Sequence, residues 1–182
     1  MKHLVWIILL VSFSALAQEK LVKTNITDNI SMSLPEGFMA MTDDDMAEKY
    51  ITHKKPMTAY TTYERDIEFS VNKSNTKWTV EDMHIMQSFY KSSISQLYDE
   101  VNFIKEGIYE VNGRKFVYFE FASKVAGDKN SISKKSAVSK YSYIQYTIIN
   151  KKTILFNFSC PFWSKDKWQN TVGEMMQTIK IK

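Results

Sequence analysis

Ile30, Met32 and Leu34 alternate with Ser31 and Ser33, and Pro35-Glu36-Gly37 follows. That is the period-two signature of a half-buried strand closed by turn residues. Thr42-Asp43-Asp44-Asp45 then opens a short helix running to about Ile51, with Thr42 as its cap and the acidic run at the positive end of the helix dipole. Residues 58–64 and 66–71 read as two further strands, the second with Ile67, Phe69 and Val71 on one face. After Thr79 the period changes. Met83, Met86, Tyr90, Ile94 and Leu97 fall three or four apart and predict an amphipathic helix to residue 98, with Ile85 and Phe89 on a smaller second face. A strand over 103–111 meets Asn112-Gly113, the strongest short signal for a two-residue hairpin turn, and Arg114–Ser123 returns beside it. Strands over 139–149 and 153–159 and a helix from Ser164 follow, the helix carrying Trp168, Val172, Met175 and Ile179. Ile179-Lys180-Ile181-Lys182 predicts a short closing strand.

Three helix starts share a hydrophobic staple across the cap: Met41 with Met46, Trp78 with Met83, and Trp163 with Trp168. The strands at 117–121 and 143–149 are apolar or aromatic on both faces, so both sides of their sheet need cover. The expected fold class is therefore α+β: a single domain with a mostly antiparallel sheet and helices on both faces, an α/β/α sandwich. It spans residues 29–182, with 18–28 as an N-terminal segment.

The start of the chain has a different character. Met1-Lys2-His3 is basic, residues 4–11 are apolar, and Ala15-Leu16-Ala17 is a small-x-small cleavage pattern before polar Gln18-Glu19-Lys20. This is the layout of a secretory signal peptide over residues 1–17. The apolar run falls short of the roughly 20 residues of a permanent membrane span. Cleavage near Ala17 leaves 165 residues and predicts a periplasmic or secreted protein.

Composition narrows the function. After that cleavage the net charge is +3, and over the full chain Lys outnumbers Arg 22 to 2. Arg is the residue favoured for planar phosphate and base recognition, so nucleic acid is not an expected partner. The charge is uneven: residues 25–53 carry a net −5, and the Ser-rich stretch 124–140 a net +4. Lys124, Lys129, Lys134, Lys135 and Lys140 of that stretch are the candidate contact residues for an anionic partner or a membrane surface touched peripherally.

Catalytic signatures are sparse. His53 and His84 lack nearby partners for a metal or a general base, and no phosphate-cradling Gly-rich loop occurs. Cys160 shares strand parity with Ile154, Phe156 and Phe158, which assigns it to the buried face. Glu64, Asp66 and Glu68 alternate on what reads as an outward strand face, and Glu81 and Asp82 serve a helix start. No cofactor and no metal is expected.

The strand and turn Ile30-Ser31-Met32-Ser33-Leu34-Pro35-Glu36-Gly37-Phe38 resembles the opening of the PsbP-like and DcrB-like superfamily. The helix at 80–98, the Asn112-Gly113 hairpin and the closing helix into Ile179-Lys180-Ile181 are similar too. The resemblance implies an α/β/α sandwich and a role as an extrinsic subunit, envelope protein or binding adaptor. The chain lacks the lipidated Cys of the lipoprotein members. The expected function is an exported, non-catalytic binding or accessory protein of the bacterial cell envelope, its partner an unidentified envelope protein. The alternative is a small secreted hydrolase or thiol enzyme using Cys160 or a carboxylate pair.

Overall fold

A computed structural model describes residues 19–51, 54–126 and 137–182. In chain order the elements are β1 (Leu21–Thr27), β2 (Ile30–Pro35), β3 (Met39–Ala40), α1 (Asp43–Lys49), β4 (Thr58–Thr61), β5 (Glu68–Ser74), α2 (Met83–Leu97), β6 (Glu100–Val111), β7 (Arg114–Val125), β8 (Val138–Ile149), β9 (Lys152–Pro161), α3 (Lys165–Gln177) and β10 (Lys180–Ile181). They make an α+β fold with two antiparallel sheets. Seven strands lie in the order β3-β4-β5-β9-β8-β7-β6, and a smaller sheet has the order β1-β2-β10.

Local chemistry explains most boundaries. Thr42 and Asp45 cap α1 reciprocally, Asp45 N–H donating to Thr42 Oγ1 and Thr42 N–H to the Asp45 carboxylate, both at 3.1 Å. A single 3-10 turn, Val80–Asp82, precedes α2, and Thr79 N–H donates to Asp82 at 2.9 Å. Asn112 and Gly113 both take positive φ, 49° and 77°, as a tight hairpin between twisted strands requires.

Adjacent residues of β7 go to different cores. Val117, Phe119 and Phe121 cluster with Met83, Met86 and Ile94 of α2. Phe116 clusters instead with Trp168, Val172 and Met175 of α3 and with Ile30, Met32 and Leu34 of β2. The alternation of a strand's side chains thus serves two apolar layers from one sheet.

The structure departs from expectation at several points. The segment before residue 29 contributes β1, paired with β2 from Leu21↔Pro35 to Thr27↔Ile30. Leu97 is 70% exposed, because Tyr98 turns extended at the end of α2 and packs its ring on Phe121 at 6.0 Å. Ser164 does not cap α3: its hydroxyl donates to Pro161 O at 2.9 Å. A 3-10 turn over Phe162–Ser164 turns Trp163 out to 79% exposure, and Trp168 packs on Phe38 and Phe158, each at 5.7 Å. The strand expected over 58–64 ends at Thr61, and Glu64 and Asp66 belong to a turn in which Arg65 has φ of 59°.

Candidate functional site

A cleft of about 830 Å³ lies between α3 and the sheet surface of β6, β7 and β8. Its floor follows from register. A bulge between Phe103 and Lys105 resets β6, so that Lys105 faces Glu120, Gly107 faces Tyr118 and Tyr109 faces Phe116. On the other side of β7, Tyr118 faces Gln145 and Glu120 faces Tyr143. Cross-strand partners share a face, so three tyrosines, a glutamate and a glutamine gather beneath α3.

The rings are in contact. Tyr118 and Tyr143 lie 5.8 Å apart and within 16° of parallel, and Tyr109 meets Tyr118 edge-on at 4.8 Å. Gly107 makes room for them: a Cβ there would sit 3.2 Å from Tyr118 Cε1. The polar atoms are tied together below the rings. Tyr109 donates to Gln145 Oε1, and Gln145 Nε2 donates to the Met176 carbonyl of α3 at 3.4 Å. Gln169 of α3 donates to Glu120 Oε1. Glu120 is only 3% exposed, yet it lines the cleft.

These hydroxyls are held protonated. Burial pushes Tyr109 up to about 12. Burial also raises Tyr143, with Tyr109 beside it adding to the effect. Tyr141, fully buried next to this group, is raised by burial and then by the Glu120 carboxylate beside it. At neutral pH the floor therefore offers neutral hydroxyls and aromatic faces. It offers no phenolate base.

The residues singled out from sequence lie elsewhere. Cys160 is 1% exposed on β9, as parity indicates, and burial pushes its thiol up, away from the thiolate needed for nucleophilic attack. Glu68 is committed to α1: Tyr50 donates to it, and Lys49 pairs with it at 2.6 Å. Asp66 accepts from Thr62 at 3.2 Å. Glu68 therefore lies apart, while Glu64 and Asp66 both line a smaller cleft beside Trp163 and Trp168. His84 is exposed on α2. Lys124, at the end of β7, pairs with Glu100 at 3.0 Å, and Lys140 is exposed on β8 opposite Ser123. Lys129, Lys134 and Lys135 lie outside the described residues, as do His53 and residues 1–17. The cleft itself was not anticipated. Its one sequence signal is Glu120, a lone charge between Phe119 and Phe121 within the apolar run 116–122.

No family profile and no curated protein matches the chain. Solved structures do. Cyanobacterial PsbP (CyanoP) from Synechocystis superposes with a TM-score of 0.62 at 14% identity, covering 95% of this chain and 99% of that one. The Ran-binding protein Mog1p of Saccharomyces cerevisiae gives 0.60 at 11% identity, over 90% and 96%. LpqN, involved in cell envelope biogenesis of Mycobacterium tuberculosis, gives 0.52 at 6% identity, over 90% and 91%. The chain has the PsbP-like fold.

Proposed function

We propose that the chain is an exported, non-catalytic binding or accessory protein of the bacterial cell envelope, acting after removal of residues 1–17. The observation that carries this reading is the cleft beneath α3, whose floor is built of packed aromatic rings and of tyrosine hydroxyls that burial keeps protonated. The thiol alternative loses ground because the Cys160 thiol is buried and raised, and Glu68 is withdrawn from any carboxylate pair by its ion pair with Lys49. The role described for LpqN, in envelope biogenesis, is that protein's own, and it agrees with the export signal read here from residues 1–17.

In this reading α2 and α3 lie on opposite faces of the seven-stranded sheet, completing an α/β/α sandwich, and the cleft under α3 is where a partner is held. The basic stretch supplies a second, peripheral contact with an anionic surface through Lys124, Lys129, Lys134, Lys135 and Lys140.

The test is a photo-crosslinking residue placed at Asn170, an exposed position on the cleft wall, with Glu48 on exposed α1 as the control position. In the native envelope, Asn170 is expected to give a discrete adduct and Glu48 none. No adduct from Asn170, together with turnover of a chromogenic ester or glycoside by the purified protein, overturns the proposal. The intact mass of the exported protein is expected to correspond to a chain starting at Gln18. A mass that retains residues 1–17 removes the cleavage step.

A further inference from the structure

Glu120 carries information that a general binding role does not use. The residue is almost wholly buried, at 3% exposure, and forms part of the cleft lining. A buried carboxylate is stable only when its charge is compensated. Its hydrogen-bond partner from α3 is Gln169, a neutral amide. The ion pairs among the described residues all use other carboxylates. Lys105, directly opposite on β6, has an exposed side chain and makes none of these pairs. Among the described residues no cationic side chain is placed on Glu120; its company is the neutral Gln169 amide and the Tyr141 hydroxyl.

The rest of the lining favours a cation. Lys105 and Lys167 are outnumbered by Glu110, Glu120, Asp166 and Glu174, so the wall carries a net −2. Lys167 is already occupied by Glu19 at 2.8 Å. Tyr118 and Tyr143, stacked 5.8 Å apart and within 16° of parallel, line the cleft together with the carboxylate. An aromatic wall next to an unpaired carboxylate is the chemistry that takes up an ammonium or guanidinium group. The cleft, at about 830 Å³, has room for the whole side chain that carries such a group.

We infer that this cleft binds a cationic group, an alkylammonium or guanidinium, with Glu120 as its counter-ion and the Tyr118 and Tyr143 rings as its wall. The inference rests on the cleft being the binding site, as proposed above, and adds the chemical class of what binds. Two sources share this chemistry: a small free cation, and a Lys or Arg side chain presented by a protein partner.

The wild-type protein carries the main test. Ring resonances of Tyr118 and Tyr143 are followed by NMR while n-butylguanidinium chloride, n-butylammonium chloride, neutral n-butylurea or the capped peptide Ac-Gly-Arg-Gly-amide is added. Saturable shifts are expected with the cations, at an affinity at least tenfold above that for n-butylurea. A peptide binding more tightly than n-butylguanidinium assigns the source to a protein side chain, and the reverse order assigns it to a small cation. Glu120→Gln should reduce cation affinity at least tenfold. Glu48→Ala, an exposed change on α1 outside the cleft, should leave affinity unchanged. Equal binding of n-butylurea and n-butylguanidinium, or a loss of affinity in Glu48→Ala as large as that in Glu120→Gln, overturns the inference while the cleft survives as a binding site. Silence of every probe overturns it too, and the adduct at Asn170 then decides whether the cleft binds anything.

Discussion

Two hairpin turns in this protein have the same backbone and different residues. Asn112-Gly113 takes φ of 49° and 77°, and Asn150-Lys151 takes 49° and 60°. Asn tolerates the left-handed region and Gly is free in it, but a residue with a long side chain brings its Cβ against the neighbouring carbonyl, at roughly 1–2 kcal/mol. Lys151 is exposed and caps the short connection between β8 and β9, so nothing else holds it there. Lys151→Gly should therefore stabilise the protein. Part of the gain is offset because Gly loses more backbone entropy on folding, so the net expectation is about 0.5–1 kcal/mol. A higher urea midpoint at unchanged slope would show it. An unchanged or lower midpoint would mean that the turn is not strained. At the same scale Glu120 was legible as an oddity and not as a site: a single charge within the apolar run 116–122 is visible in sequence, but its company on β6, β8 and α3 is not.

At the scale of elements, the parts that could be read were those with a local signature. The helix α2 announces itself by period, the β6–β7 hairpin by Asn112-Gly113, and α1 by its reciprocal cap. β1 has no such signature: of its seven residues only Ile26 is buried, so the expected alternation is absent from an edge strand. β3 has two residues, both exposed, and exists because Met39 and Ala40 pair with Thr61 and Tyr60. The staple at Trp163 misled because a 3-10 turn intervenes before α3, and sequence spacing does not reveal that extra turn. The short strand β10 was anticipated, and its anchoring supports a prediction. Ile179, 1% exposed, enters the larger apolar cluster, while its carbonyl accepts from Asn112 Nδ2 at 2.8 Å and so ties the hairpin to the chain's end. Ile179→Ala should cost about 2–5 kcal/mol, the range for truncating a buried aliphatic side chain. Urea unfolding measures it, and a loss below about 1 kcal/mol would mean that β10 is peripheral to the core.

Over the whole molecule, the sheet's two apolar layers and the cleft are products of register, which is why fold class was accessible from the sequence and the site was not. Alternation announces that a strand has two faces. It does not state that a bulge between Phe103 and Lys105 will set Gly107 beneath Tyr118. One consequence of that packing is measurable in a single titration. Tyr50, Tyr98, Tyr109, Tyr141, Tyr143 and Tyr146 come from the end of α1, the segment after α2, and strands β6 and β8, and burial is the largest cause raising each of them. The folded chain thus keeps these protons at a pH where the unfolded chain, with tyrosines near 10.0, releases them. Stability that depends on this difference is fully present below about pH 10 and is lost as pH rises through the folded values. For Tyr109 the window runs from 10.0 to about 12. A single proton held over two pH units corresponds to about 2–3 kcal/mol, so the combined slope should unfold the domain cooperatively in alkali. In an alkaline titration, the tyrosinate absorbance of at least these six of the ten tyrosines is expected to appear in step with the loss of near-ultraviolet circular dichroism. If that absorbance instead develops gradually near pH 10 while the tertiary signal is intact, the tyrosines are open to solvent and the packed floor beneath α3 is wrong.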